Sequence, residues 1–255
     1  MSFSSLRRHI RPYSPRPWIH QTVFRRPLRL DLPQPIASFT FDDFPRSALH
    51  TGGPLLRRHD AHGTYYASLG LMGAKNEGGP LFTREDIDDL IANGHELGCH
   101  TFSHLPARRT DMAVFESDIL KNRRRMEEIL PGYVLQNFAY PGGELTLRLK
   151  RRMRQYAVSS RGTYTGINRH WADLDLLLSQ NLYESVPLQH VKDVVDECHE
   201  RPGWIIFYGH DVREQPSPCG CTPGYLEAVL QIVSDTCRIM TVREALAFIR
   251  GGSKP

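Results

Sequence analysis

The sequence predicts an α/β fold in which helices cover a largely parallel sheet. From Ile36 onward, short apolar runs alternate with segments of helical periodicity, and this alternation is typical of parallel sheets. The 255-residue chain is 40% hydrophobic and 24% charged, as in ordinary globular proteins. A chain of this length buries roughly 70–75% of its unfolded surface, so its core needs no disulfide scaffold. Periodicity alone leaves open whether the sheet is flat or closed into a barrel.

Each element is predicted from its local pattern. Thr83 and Asp86 form a capping box that starts a helix, and Gly94 stops it. Pro131 and Gly132 end the long helix before them. The predicted strands are 36–41, 63–69, 95–100, 134–140, 156–160, 204–208 and 238–242. The predicted helices are 83–93, 111–130, 146–155, 191–199, 225–236 and one that ends at 249.

We expect residues 1–35 to form a basic, proline-rich N-terminal arm and 36–250 to form one folded domain. Residues 1–30 contain seven arginines, four prolines and no acid, whereas the rest carries 25 basic and 28 acidic residues. The prolines oppose the amphipathic helix of a transit peptide. Two interpretations stay open. The arm packs on its own domain, with Trp18, Phe24 and Leu28 inserted among helices, or it makes a peripheral contact with an anionic membrane.

The composition also bears on location. The N-terminal 30 residues lack the apolar stretch of a secretory signal, and no apolar run approaches the ~18 residues of a membrane span. The five cysteines are too few and scattered for a disulfide framework. We therefore expect reduced thiols and a cytoplasmic protein, with the inner membrane face as a peripheral location.

The candidate catalytic and metal-binding residues follow the predicted strands, where parallel α/β folds place their active sites. Each pair or turn alone is typical of a cap, a surface pair or a loop. Together, one Asp and two His supply three metal ligands with an open position, as in catalytic zinc sites, and leave a second Asp as a base. The strand ends carry Asp42-Asp43, His100 with His104 four residues on, Tyr140-Pro141-Gly142-Gly143 and His210-Asp211.

Four segments resemble the motifs of the polysaccharide deacetylases, the carbohydrate esterases with a NodB-homology domain. Residues 38–43 (SFTFDD) resemble the first motif, and 95–104 (HELGCHTFSH) resemble the second, His-Thr-x-x-His. Residues 138–143 (FAYPGG) and 204–212 (WIIFYGHDV) are similar to the third and fifth. The resemblance spans about 36–249. It implies a distorted (β/α) barrel of seven or eight strands that hydrolyses an N-acetyl amide on an amino sugar.

The resemblance also implies a role for each motif residue. The cofactor would be one divalent metal, usually zinc, with cobalt, nickel or manganese as substitutes. The implied metal ligands are Asp43, His100 and His104; Asp42 would be the base and His210 the acid; the N–H of Gly142, after Pro141, would hold the oxyanion, and Tyr140 would shape the substrate wall.

Two positions depart from the family pattern. Ala139 stands where many members have an arginine that orients the base, so the residue that takes over this role is left open. The fourth motif is not recognisable, and Asp173 or Asp175 is the candidate acid that steadies His210.

Three functions remain open. The chain is a metal-dependent N-deacetylase of a saccharide or glycolipid precursor, a hydrolase of a non-sugar amide or cyclic amide, or a silent binding protein of the same fold. The intact set of Asp42, Asp43 and three histidines favours an enzyme.

The basic clusters 121–125 and 148–154 lack interleaved aromatic residues, so no nucleic-acid partner is expected. Cys219 and Cys221 fall outside the usual zinc spacings and are interpreted as loop cysteines. The oligomeric state is open.

Overall fold

A computed structural model describes residues 17–251 of the chain. Within this range, seven parallel strands form a closed barrel, which confirms the predicted distorted barrel of seven or eight strands. The strands of this described range are β1 (Pro27–Arg29), β2 (Ile36–Asp42), β3 (Thr64–Ala67), β4 (Lys75–Asn76), β5 (Gly79–Pro80), β6 (Glu96–Cys99), β7 (Asn137–Ala139), β8 (Ser159–Thr165), β9 (Trp171–Asp173), β10 (Leu177–Asn181), β11 (Trp204–Gly209) and β12 (Arg238–Ile239).

The barrel runs in the order β2, β3, β6, β7, β8, β10 and β11, and β11 pairs back onto β2. This last pairing is a six-residue parallel ladder from Trp204 opposite Ile36 to Gly209 opposite Phe41. The short strand β12 pairs with the first two residues of β2. Because all seven strands are parallel, their carboxyl ends meet at one mouth of the barrel, which we call the upper mouth.

Helices cover the outside of the barrel. Thr83 caps its helix through the predicted capping box with Asp86, and Thr241 forms a second box with Glu244. Among residues 17–251, no helix combines the length and apolar character required to cross a membrane. The α-helices of the described residues are α1 (Pro17–Thr22), α2 (Gly53–Arg58), α3 (Arg84–Ala92), α4 (Met112–Ile129), α5 (Leu147–Met153), α6 (Leu188–Glu200), α7 (Pro223–Ser234) and α8 (Val242–Ile249).

The described part of the arm packs along one side of the barrel. Strand β1 pairs antiparallel with β9, and Leu28 packs against a hydrophobic cluster around Trp204. Trp18 and Phe24 are 64% and 42% exposed, so the expected insertion is found for Leu28 and is wrong for these two aromatic residues. Residues 1–16 of the arm lie outside the described range.

Buried ion pairs fasten this segment. The fully buried Lys150 of α5 pairs with Asp173 at 2.6 Å and donates to the carbonyl oxygens of His20 and Val23. Arg26 of the arm pairs with Asp175 at 2.9 Å. Since an unpaired buried charge is costly, these contacts fix the path of the arm against the domain.

Candidate metal centre and active site

Two adjacent carboxylates end β2 and point in different directions. Asp42 is the last residue of the strand and is buried, with 4% of its surface exposed. Asp43 has a left-handed backbone with φ 62°, and Phe44 follows at φ 52°. Such conformations are costly for non-glycine residues and concentrate at functional sites. Asp43 lies beside His104, whereas Asp42 pairs with Arg161.

Asp43, His100 and His104 come together at this mouth. Their candidate ligand atoms all lie within 4.8 Å of one another. Asp43 Oδ1 is 3.6 Å from His100 Nε2 and 3.3 Å from His104 Nε2. Tetrahedral ligands at about 2.0–2.1 Å from one ion stand roughly 3.3 Å apart, so the spacing fits a shared zinc-type cation.

The partners of these three side chains also fit a metal. Asp43 Oδ1 is buried without a hydrogen-bond partner among the described residues, while Asn76 Nδ2 donates to Oδ2 at 3.0 Å. His100 Nδ1 donates to the Ala139 carbonyl at 2.8 Å, which directs Nε2 toward Asp43. Burial lowers the pKa of His100 to about 4, although the charge of Asp42 acts against it. His100 is therefore a neutral imidazole at neutral pH, the form that binds metals.

The segment between the two histidines is a constrained loop and not the helical turn that an i, i+4 pair also matches. Thr101 and His104 have left-handed backbones with φ 62° and 53°. The Asp118 carboxylate of α4 accepts from the main-chain N–H groups of Phe102 and Ser103 at 2.9 and 2.8 Å. Asp118 thus holds the loop that brings His104 beside His100.

Asp42 is paired with a residue that sequence reasoning did not identify. Arg161 of β8 donates from its guanidinium to Asp42 Oδ1 across the barrel. Burial alone raises the pKa of Asp42, but the charges of Arg161, His100 and His210 outweigh it and leave the pKa lowered. Asp42 is therefore ionised at neutral pH, as a general base requires. Arg161 fills the role that Ala139 cannot.

Aromatic rings hold the Arg161 guanidinium. Its central carbon lies 5.3 Å from the ring centroid of Tyr66 and 4.8 Å from that of Tyr208. Nη1 donates to the Gly162 carbonyl at 2.9 Å, and the side chain is fully buried. In the sequence, Arg161 is a single charged residue among small residues of β8, which is the pattern that could identify it. The predicted strand 156–160 stops one residue before it.

His210 follows β11 at the same mouth, and its charge contributes to the lowered pKa of Asp42. Its Nδ1 lies 3.3 Å from the carbonyl oxygen of Cys219, so Nδ1–H donates there and Nε2 is left for the substrate. Buried Asp211 holds this loop by accepting from Arg213 Nε at 2.8 Å and the Ser217 N–H at 2.9 Å. A side chain at Gly220 would collide with Asp211, which explains the glycine between the two cysteines.

The expectation that Asp173 or Asp175 steadies His210 is wrong. Asp173 binds Lys150, and Asp175 binds Arg26 and Arg154, the latter at 3.1 Å. These two acids fasten the arm because the cations of the arm and α5 converge on them. A main-chain carbonyl takes their expected place beside His210. Within residues 17–251, the five cysteines form no disulfide.

The third-motif segment forms a tight turn. Gly143 N–H donates to the Tyr140 carbonyl at 2.8 Å and Glu144 N–H to the Pro141 carbonyl at 3.1 Å, so neither bond uses the N–H of Gly142. Gly142 is exposed with φ 59°. The Tyr140 ring is fully buried, and its hydroxyl donates to the Asp175 carbonyl at 2.8 Å. Tyr140 therefore anchors the turn, and its predicted place in the substrate wall is wrong.

The sequence between residues 29 and 160 matches the profile of the polysaccharide deacetylases, and this covers just over half of the chain. The chain belongs to the polysaccharide deacetylase family. A peptidoglycan-N-acetylglucosamine deacetylase of Bacillus cereus is 30% identical over 112 residues, 42% of this chain and 46% of that relative. The chain thus matches about half the length of this curated relative.

Solved structures of the family share the fold. The peptidoglycan deacetylase PdaC of Bacillus subtilis is 17% identical with a TM-score of 0.51, over 87% of this chain and 98% of that one. A pseudoenzyme of carbohydrate esterase family four from Bacillus anthracis, BA3943, is 12% identical with a TM-score of 0.54, over 84% and 66% of the two chains. Since this fold occurs in an enzyme and in a pseudoenzyme, activity must be argued from the side chains.

Proposed function

We propose that the protein is a metal-dependent N-deacetylase that hydrolyses the acetamide of an N-acetylated saccharide. The observation that best supports this proposal is that the adjacent carboxylates of Asp42 and Asp43 have different partners. Asp43 shares a ligand cluster with His100 and His104, while Asp42 is paired with Arg161 and has a lowered pKa. A binding protein needs no ionised base beside such a cluster.

The residues divide the work of amide hydrolysis. Asp42 accepts a proton from the attacking water, and the Arg161 charge keeps its carboxylate ionised. His210, with Nδ1–H held by the Cys219 carbonyl, presents Nε2 to protonate the leaving nitrogen. The N–H of Gly142, outside the hydrogen bonds of its turn, is the main-chain donor for the oxyanion.

Asp43, His100 and His104 would hold the divalent cation, for which zinc is the best match to one carboxylate and two imidazoles. When bound, the cation would polarise the amide carbonyl and lower the pKa of water. The saccharide substrate is proposed from the family and from the curated relative, a deacetylase of peptidoglycan N-acetylglucosamine.

Acetate release from a panel of N-acetylated saccharides tests the proposal. Chitooligosaccharides, peptidoglycan fragments and sugar phosphates, each tried with zinc, cobalt and manganese, should include a substrate. Cyclic amides and simple acetamides are run in parallel. Release from these alone would support the non-sugar amidase, and release from neither class would favour a silent binding protein.

Two variants separate the base from the ligand. Asp42→Asn should keep its metal and lower kcat by roughly 10²–10⁴, because a general base contributes that much. Asp43→Asn should lose metal, measured by elemental analysis after dialysis, because it removes one of three ligands. If Asp42→Asn lost its metal and Asp43→Asn kept it, the assignment of base and ligand would have to be reversed.

A further inference from the structure

A short hairpin made of β4 and β5 is anchored beside the candidate metal ligands. Asn76 of β4 pairs with Gly79 of β5 across the hairpin. At its base, the Phe82 N–H donates to the Phe44 carbonyl at 3.1 Å. Phe44 directly follows Asp43, so the hairpin is joined to the chain where β2 ends.

The tip of the hairpin packs between the segments that follow β2 and β11. A Cβ added to Gly78 would stand 3.3 Å from Pro45 Cγ and 3.3 Å from Asp211 Oδ1. Pro45 comes two residues after Asp43, and Asp211 comes directly after His210. The hairpin therefore contacts both the segment of a candidate metal ligand and the segment of the proposed acid.

The side-chain amide of Asn76 has a partner at each end. Its Nδ2 donates to Asp43 Oδ2 at 3.0 Å, and its Oδ1 accepts from the Gly78 N–H at 2.8 Å. Because a carboxylate accepts hydrogen bonds and a main-chain N–H donates them, these two partners fix the direction of the amide. The other oxygen of Asp43, Oδ1, lies 3.6 Å from His100 Nε2 and 3.3 Å from His104 Nε2. The two oxygens of Asp43 thus have different surroundings.

Arg213 ties the same hairpin to the segment of the acid. Its Nη2 donates to the Glu77 carbonyl at 2.9 Å, and its Nε donates to Oδ2 of the fully buried Asp211 at 2.8 Å. Glu77 directly follows Asn76, so Arg213 holds the turn from which Asn76 reaches Asp43. We call Asn76, the Glu77 carbonyl, Arg213 and Asp211 the hairpin brace.

We propose that Asn76 is a positioning residue that leaves Asp43 one oxygen for the metal, and that the hairpin brace holds it in this place. The inference rests on the proposed function, because it concerns the same metal site. An aspartate that is free to turn can bind a cation through both oxygens, and the second oxygen then takes the coordination position that a catalytic site leaves open. With Oδ2 held by Asn76, only Oδ1 faces the ligand cluster.

The hairpin has main-chain hydrogen bonds that do not depend on the Asn76 amide. The Leu81 N–H donates to the Ala74 carbonyl at 2.9 Å, next to the bond at the base of the hairpin. Loss of the amide should therefore act on Asp43 more than on the fold.

Zinc binding to the full-length protein, measured by competition with a chelating dye, tests the inference. Asn76→Ser keeps an acceptor for the Gly78 N–H, as in a serine turn, but its side chain is too short to reach Asp43. It should weaken zinc binding about 10–100-fold, the usual effect of removing the partner of a metal ligand. Arg213→Met should weaken it in the same direction and by less, because it acts through the hairpin.

The visible spectrum of the cobalt-loaded protein separates positioning from a structural role. Tetrahedral cobalt absorbs strongly, and its absorption weakens when a fifth ligand binds, so Asn76→Ser should weaken the band as both oxygens of Asp43 become ligands. Asn93→Ser is the matched control and should change neither measurement. Asn93 donates to the Asp89 carbonyl at 2.7 Å directly after α3 and before β6 begins, at the end of the barrel opposite the upper mouth.

Failure of the inference can be told from failure of the proposed function. A wild-type protein that binds neither zinc nor cobalt would overturn both. A wild-type protein that binds zinc, with an Asn76→Ser protein of equal affinity, would leave the metal site and overturn the inference alone. Weaker zinc binding with an unchanged cobalt spectrum would assign Asn76 a structural role and overturn it as well. Unchanged zinc affinity in Arg213→Met would overturn the part assigned to the brace.

Discussion

Replacement of Arg161 by methionine removes the only charge that contacts the Asp42 carboxylate directly among the described residues, and leaves that carboxylate buried. Methionine keeps much of the arginine volume between Tyr66 and Tyr208, so packing changes little compared with charge. The consequences should therefore be electrostatic, and they should appear in both stability and the pH dependence of activity.

The magnitude follows from burial and pairing. Loss of one partner of a buried ion pair costs about 3–5 kcal/mol of unfolding free energy. Without the arginine, burial is opposed by fewer positive charges, so the pKa of Asp42 rises. In the wild type the lowered pKa stabilises the fold above the unfolded pKa, and this contribution is lost as pH falls through the folded value. In Arg161→Met the sign reverses, so its stability deficit shrinks as acid protonates Asp42.

Urea denaturation at pH 7 and pH 5, and kcat/KM for acetate release against pH, measure both effects. The acidic limb of the activity profile should move to higher pH, because Asp42 then ionises at higher pH. Asp42→Asn in the Arg161→Met background should recover part of the lost stability, because the uncompensated charge is gone. Arg161→Lys, which keeps the charge, guards against a variant that fails to fold.

Arg169→Met is the control, because Arg169 pairs with half-exposed Glu197 at 2.7 Å and surface pairs contribute about 0–1 kcal/mol. A folded Arg161→Met protein with wild-type stability and an unshifted acidic limb would refute the assignment of Arg161 as the residue that positions and ionises Asp42.

Two further predictions concern buried charges outside the active site. Burial, with the charges of His62 and Arg57, lowers the pKa of His95 from 6.5 to about 4. The unfolded chain then binds more protons between these values, so stability should fall by about 2 kcal/mol from pH 7 to pH 5. His95→Asn, which keeps an acceptor for the Gly63 N–H, should flatten that slope in urea titrations, and an unchanged slope would contradict the assignment. Lys150→Met should lower the melting temperature and expose the arm to limited proteolysis, because it leaves Asp173 buried with its cation removed. Asp173→Asn should restore part of the loss, and an arm as protease-resistant as in the wild type would contradict its fastening by Lys150.

Local patterns in the sequence predicted most of what sits at the strand ends. Apolar runs located β2 and β11, and the acids and histidines that follow them lie at one mouth because all barrel strands are parallel. The Thr83 capping box needs only two side chains three residues apart, so it was visible in the sequence and is confirmed. Such features depend on neighbours within one or two turns of chain.

Contacts across the barrel could not be predicted in this way. Arg161 and Asp42 are 119 residues apart in the sequence. The local pattern of a strand does not show which residue lies opposite it inside a closed barrel. The local pattern does not predict β9, because Asp173 resembles a loop residue until Lys150 neutralises it. It does not predict β10 either, because most of that strand is polar. The sequence pattern does not predict α1, because Pro17 and the basic residues around it indicate an extended arm.

The ladder between β11 and β2 has a consequence for how the protein folds. It joins the first and last strands of the ring, with Trp204 opposite Ile36, so its loop-closure entropy is among the largest in the molecule. Folds dominated by such distant pairings form slowly, in milliseconds to seconds. Asp42 and His210 extend from these two strands. The three candidate metal ligands all lie in the first half of the chain. Asp42 and His210 come together only when β11 pairs with β2 and closes the barrel.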